Sequence, residues 1–334
     1  MAGTIIITGA NGSLAIPAVQ YLLTKYPDYA VVLTVRDASE TDVNTEKLRD
    51  TVAQYPNAQT SVREVDLASL SAVHDFASTI ATEIADGRLP PLASIVCNAF
   101  YWNLTRDAEL TGDGFEKGFQ VTHLAHVAMV LRLLGNFSSN GGRIVLLSSE
   151  VHWPGKSNFE KYPPAIPGDL ELLVKPAPDE PGDNLGRGFQ RYAVAKLTVV
   201  MWMYALNRYL EKDPSLSNIT AVAINPGNLS DSRALRINTP KMIVYMSKYF
   251  IQPLRPLLRL TDPTMRTAAE AGVDVVELAT NKAYPGERGH LTLLKMDASS
   301  PASKDEEKQR KLWLKSAEWA RVTRENTALK AEFE

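Results

Sequence analysis

The chain has 334 residues, 45% of them hydrophobic and 22% charged, with 19 Gly and 20 Pro. That composition excludes a disordered or low-complexity chain and leaves enough apolar material for a large core. Lys plus Arg number 36 against 38 Asp plus Glu, a formal charge of -2, so neither a nucleic-acid partner nor a polybasic membrane patch is expected. Cys97 is the one cysteine, which rules out an internal disulfide and any multi-cysteine metal site. His123 and His126 stand three residues apart without a carboxylate pair nearby, so packing is the better reading and no metal is expected. No apolar run is long enough for an integral membrane span, and a cytoplasmic location is expected.

Gly3 to Thr8 reads as a buried strand that runs into Gly9-Ala10-Asn11-Gly12. Residues 13–25 carry Leu14, Val19, Leu22 and Leu23 at helical spacing. Strands are expected at 30–35, 60–65, 93–97, 143–147, 219–224 and 290–294, with helices at 43–54, 70–84, 114–137, 189–210 and 264–280. This alternation predicts an α/β fold of Rossmann type: a doubly wound parallel sheet of about seven strands covered by helices on both faces. A single domain spanning residues 1–334 is expected. Within it, residues 150–188 are rich in proline and read as an insertion over a pocket. Residues 239–262 read as a lid packed on an apolar pocket, in preference to a peripheral membrane helix. The tail at 303–334 reads as a solvated helix, and the apolar face of the 189–210 helix (Val199, Val200, Trp202, Met203, Leu206) could form a homodimer contact.

A strand that ends in glycine-rich backbone and feeds a helix exposes N–H groups and the positive helix end to a phosphate. Thr8, Gly9, Asn11, Gly12, Ser13 and Leu14 make up such a turn, placed in the first strand–helix unit. Past the second strand, Arg36 favours a ribose 2′-phosphate and hence NADP(H), while Asp37 beside it weakens that signal. Asp66, after the third strand, suits an adenine edge or a helix cap equally well. Tyr192 and Lys196 lie at i and i+4 on one helix face, a phenol that can protonate an oxygen beside a cation that stabilises its phenolate. Tyr21 and Lys25 share that spacing, but Tyr192 alone follows a strand ending in Ser148-Ser149.

Together these landmarks resemble the short-chain dehydrogenase/reductase family. The likeness is to its extended-loop members, such as retinol dehydrogenases, protochlorophyllide reductases and fungal secondary-metabolism reductases. The resemblance spans residues 3–320 and includes Asp66-Leu67, Cys97-Asn98-Ala99 and Asn225-Pro226-Gly227. It implies that Tyr192 is the general acid/base, that Lys196 lowers its pKa and holds the nicotinamide ribose, and that Ser149 orients the substrate. It further implies cofactor contacts at Leu67, Asn98, Ala99, Pro226, Gly227 and Leu229. The departures are Ser13 and Ala15 at the later glycine positions, Phe100 in place of a glycine, and Thr122 in place of the relay asparagine. Asp231 stands where a threonine is usual.

Phe100, Trp102, His152 and Trp153 are expected to line an apolar substrate pocket. The expected activity is NADP(H)-dependent reduction of a carbonyl, or oxidation of the alcohol, on a hydrophobic small molecule of the secondary-metabolite kind. Reduction of a C=C or C=N bond, a repurposed cyclase or isomerase, and an NADP(H)-sensing protein without chemistry stand as alternatives.

Overall fold

The computed structural model describes residues 2–330. Strands β1 (Gly3–Ile7), β2 (Tyr29–Val35), β3 (Thr60–Glu64), β4 (Leu92–Cys97), β5 (Gly142–Leu147) and β6 (Ile219–Asn225) are followed by a short pair, β7 (Asn228–Leu229) and β8 (Met265–Arg266), then by β9 (Gly289–Thr292) and β10 (Lys295–Met296). The main sheet runs β10-β9-β6-β5-β4-β1-β2-β3, and only β10 pairs antiparallel. The expected parallel sheet is present. The two-residue hairpin arm β10 makes it eight-stranded, and β7 and β8 form a separate parallel pair.

Each strand divides its apolar residues between two cores, because successive side chains point to opposite faces. Ile5, Ile7, Val31, Leu33, Val96, Val145, Val222 and Ile224 belong to one core, covered by the helices Ala15–Lys25, Val43–Ala53 and Ala268–Ala279. Ile6, Val32, Ile95, Cys97, Ile144, Leu146, Ala221 and Ala223 belong to the other, under the helices Leu70–Ala85, Ala125–Leu133, Asn184–Lys212 and Glu306–Trp319. With both faces dry, the sheet can meet a ligand only at a strand end. The crevice opens where β1 is flanked by β2 on one side and β4 on the other, since chain direction across the sheet reverses there.

Three expectations change. The tail is not solvated: Leu312, Trp313, Ala317 and Trp319 are buried, and Trp313 stacks on Trp202 at 5.7 Å with 14° between the rings. Residues 331–334 of that tail lie outside the described residues. The face offered for dimerisation is occupied inside the chain, because Val199, Val200, Trp202, Met203 and Leu206 are all core residues. The 239–262 segment is helical over Lys241–Met246 and Gln252–Leu258, joined by the π turn Ser247–Ile251. Ile243 is buried, but Met242, Tyr245, Tyr249, Phe250, Leu254 and Leu257 face outward instead of closing on a pocket.

Removing the Trp313 indole would open a cavity between two helices that no neighbour can fill. Trp313→Ala is therefore expected to cost about 3–5 kcal/mol, read as a lower urea midpoint with an unchanged slope.

Candidate functional site

A cleft of about 640 Å³ follows the carboxyl ends of the central strands. Its floor at one end is the turn after β1. Gly9 adopts φ +61°, and a Cβ there would sit 3.0 Å from the Ala99 Cβ, so only glycine fits. At Gly12 a Cβ would meet the Gly9 carbonyl at 3.0 Å. The helix Ala15–Lys25 then begins without a side-chain cap at Leu14, with the Ile16 N–H given to the Gly12 carbonyl at 3.1 Å and Pro17 carrying none, so the positive end of the helix faces the turn. Asn11, Ser13 and Leu14 line the cleft with these glycines, as do Arg36, Asp66, Leu67, Asn98, Ala99, Pro226, Gly227 and Leu229.

Thr8 does not line the cleft. It works from behind, where its buried Oγ1 accepts the N–H groups of Asn98 and Ala99, each at 3.0 Å. The same oxygen pairs with His126 Nε2 at 2.9 Å, and His126 Nδ1 donates to the Thr122 carbonyl at 3.0 Å. That carbonyl can only accept, so Nδ1 carries the proton and Nε2 receives the Thr8 hydroxyl. Burial holds His126 down at about 4, which keeps it in this neutral form. Asn98 Nδ2 completes the link by donating to the carbonyls of Thr8 and Gly9 at 2.9 and 3.2 Å. Thr122 itself lies in the π turn Gln120–Leu124, and its hydroxyl accepts the Tyr101 N–H at 3.4 Å rather than facing the cleft.

At the other end Tyr192, Ser149 and Lys196 converge. The phenol takes a hydrogen bond from the Ser149 side chain, which lowers its pKa. Burial outweighs this and, with the nearby Glu150 charge, pushes the phenol up to about 12. Lys196 Nζ donates to the Leu147 carbonyl at 2.6 Å and lies 5.2 Å from the Phe100 ring centre. Burial pulls this ammonium down to about 7. The expectation that Lys196 depresses the Tyr192 pKa is not what the site shows, because burial acts on both groups and weakens the cation. Phe100 and Trp102 wall the phenol, with ring centres 5.8 and 5.3 Å from it.

His152 and Trp153 do not line the cleft. His152 is buried: Nδ1 donates to the Ser149 carbonyl at 2.6 Å, and Nε2 accepts the Ser300 N–H at 3.1 Å. With both nitrogens engaged it anchors the serine's backbone and has no hydrogen-bonding capacity left for a substrate. Asp231 is likewise withdrawn, accepting the Ala268 N–H at 2.9 Å.

Several cleft residues were not foreseen. Arg233 donates its backbone N–H to Ser13 Oγ at 2.9 Å and its Nη1 to the Asn11 carbonyl at 3.2 Å, placing a second guanidinium beside the glycine turn. Phe159, from the proline-rich insertion, and Phe189 extend the aromatic wall, their rings 6.0 Å apart. A basic residue after Pro226-Gly227 was the available signal for Arg233. Nothing local marked Phe159. Among the described residues no cluster of three His, Cys, Asp or Glu could hold a metal, and no helix is long and apolar enough to cross a membrane.

A family model described as the AcuH dehydrogenase domain matches residues 233–329. The chain is similar to the short-chain dehydrogenase iccH of Talaromyces variabilis, 32% identical over a 370-residue alignment that covers 98% of both proteins. It is 28% identical to retinol dehydrogenase 14 of Mus musculus over 93% of this chain and 83% of that one. Among solved structures, a short chain dehydrogenase from Burkholderia cenocepacia J2315, crystallised in complex with NADP, superposes with a TM-score of 0.57. It is 16% identical, and the match covers 88% of this chain and 97% of that one.

Thr8→Val keeps the shape but leaves the Asn98 and Ala99 N–H groups without their acceptor. The expected loss is about 1–3 kcal/mol for each donor, measured by chemical unfolding, and Thr8→Ser should recover most of it.

Proposed function

The chain belongs to the short-chain dehydrogenase/reductase family, and from that premise we propose that it is an NADP(H)-dependent oxidoreductase. It reduces a carbonyl, or oxidises the corresponding alcohol, on a hydrophobic small molecule. The observation that carries this reading is the meeting of Tyr192, Ser149 and Lys196 at one end of a cleft whose other end is a glycine turn flanked by Arg36 and Arg233.

The cofactor fits what the residues offer. Gly9 and Gly12 keep the turn tight against Ala99 and the Gly9 carbonyl, and the positive end of the uncapped helix at Leu14 suits a pyrophosphate. Arg36 and Arg233 would hold a 2′-phosphate, and Asn98, Lys196 and the Pro226-Gly227 turn would hold the nicotinamide half. Asp37 and Asp42 also line the cleft. Asp37 Oδ1 accepts the Ser39 N–H, and Asp42 Oδ1 caps the Val43–Ala53 helix through Thr45. The Asp37 charge acts on Arg36 and that of Asp42 on Arg233, and the two guanidiniums, with Arg233 held to the Asn11 carbonyl, are the cations a phosphate would meet. When bound, the nicotinamide supplies the hydride that reaches carbon.

The chain's own residues handle the oxygen. Ser149 donates a hydrogen bond to the carbonyl oxygen and holds it beside the Tyr192 phenol, which delivers the proton as charge develops there. A phenol near 12 remains protonated throughout the neutral range, so it is always ready to act as the acid. Stabilising the phenolate left behind falls to Lys196, and only its charged form can do so. The aromatic walls of Phe100, Trp102, Phe159 and Phe189 exclude water and favour a bulky apolar substrate of the secondary-metabolite kind.

Tyr192→Phe keeps the ring and removes the proton. Following NADPH absorbance with lipophilic ketones and aldehydes, kcat is expected to fall about 10²–10⁴-fold with little change in KM. Full activity in that variant would contradict the assignment. Lys196 is cationic below its pKa and neutral above it, so kcat/KM for reduction should decline as pH rises through about 7. Lys196→Arg, which stays charged, should move that decline to higher pH.

A further inference from the structure

The 241–258 helical segment carries a surface that the catalytic reading does not use. Met242, Tyr245, Tyr249, Phe250, Leu254 and Leu257 repeat at helical spacing, and all six are exposed. Met242 is 73% and Phe250 64% exposed, and Leu260 just beyond reaches 82%. The segment is held to the body by its opposite side, where Ile243 and Ser247 are buried and Ser247 Oγ donates to the Ser230 carbonyl at 3.2 Å.

Charge is segregated around this stripe. Between Asp231 and Asp262 no acidic residue occurs, while Arg233, Arg236, Lys241, Lys248, Arg255 and Arg259 all fall within the interval. A net charge of -2 for the whole chain conceals this local excess. Lys241 and Lys248 are exposed beside the stripe, while Arg255 turns back toward the body and donates to Ser230 Oγ at 3.4 Å. Arg259 is paired with Glu270 at 2.7 Å, and Lys248 lies over the Tyr249 ring at 5.2 Å.

We propose that this surface docks on an anionic phospholipid bilayer, with the apolar stripe in the interface and the cationic edge against lipid phosphates. An apolar arc bearing Tyr and Phe beside Lys and Arg is the pattern of a helix lying in the plane of a membrane. A second copy is the poorer occupant. A two-fold contact would bring the cations of one copy toward those of the other, with no carboxylate in the segment to pair them. Closure over the cleft is also poorer, since the stripe points away from the body of the protein. Ile237 and Asn238, immediately before the segment, line the cleft. On the reading of an apolar substrate, docking would therefore bring the cleft mouth close to the lipid phase. The membrane contact itself stands independently of the reaction.

Flotation of the full chain with vesicles tests this, using phosphatidylcholine alone and phosphatidylcholine mixed with phosphatidylserine. The protein should float with the serine-containing vesicles, and added salt should release it. Lys241→Glu/Lys248→Glu should weaken partitioning about fivefold or more for each cation reversed. Tyr249→Ser/Phe250→Ser/Leu257→Ser should abolish it. Both variants change exposed side chains and should keep the wild-type melting temperature and its rise with NADPH. A lost NADPH response in the wild type would count against the proposed function and leave the vesicle result standing. No flotation, equal flotation on both vesicle types, or variants that float like the wild type would overturn the proposal. So would a concentration-dependent dimer in sedimentation velocity that the serine substitutions abolish.

Discussion

A buried ammonium organises the site. Lys196 Nζ donates at 2.6 Å to the carbonyl of Leu147, the last residue of β5, and so ties the Asn184–Lys212 helix to the strand that continues into Ser148 and Ser149. That contact sets the distance between the phenol on the helix and the hydroxyl on the strand end. Burying a cation against a single carbonyl is electrostatically poor, and the fall of its pKa to about 7 records the cost.

Two further anchors hold the walls of the cleft. Thr8 links the ends of β1 and β4 through the Asn98 and Ala99 N–H groups, and His126 ties that link to the π turn at Gln120–Leu124. His152 does the same for Ser149, fastening its carbonyl to the segment that leads into the last helix. Both histidines are buried and act as neutral hydrogen-bonding pins. The stacked pair Trp202 and Trp313 then seats that last helix on the helix that carries Tyr192. The tail is in this way part of the frame behind Tyr192 and Lys196.

The sheet was legible in the sequence because short β-branched runs alternate with amphipathic segments, and strand period and helix period are easily told apart. The glycine turn and the Tyr192–Lys196 pair were legible because backbone space and i,i+4 spacing are local properties. What could not be read was which way a side chain turns once the chain is folded. Thr8, Thr122 and His152 sit beside the cleft in sequence, yet they satisfy buried backbone groups, and that demand arises only from tertiary contacts. Trp313 sits on a helix rich in Lys and Glu, and that charge masked how deeply it packs. The 241–258 segment failed for the opposite reason. Its apolar residues suggested burial, whereas the structure leaves them outside with a cationic edge that whole-chain charge concealed.

The central claim is that this cleft holds a phosphorylated dinucleotide between the glycine turn and Lys196, with Arg36 and Arg233 selecting the 2′-phosphate. Equilibrium titration of the intact protein with NADPH and with NADH, in the wild type and in Arg36→Ala and Arg233→Ala, tests this most directly. The expected result is tighter binding of NADPH by about tenfold or more, equivalent to about 1.4 kcal/mol, with the preference reduced in both variants and NADH affinity nearly unchanged. Equal affinities in the wild type, or no binding of either nucleotide, would contradict it.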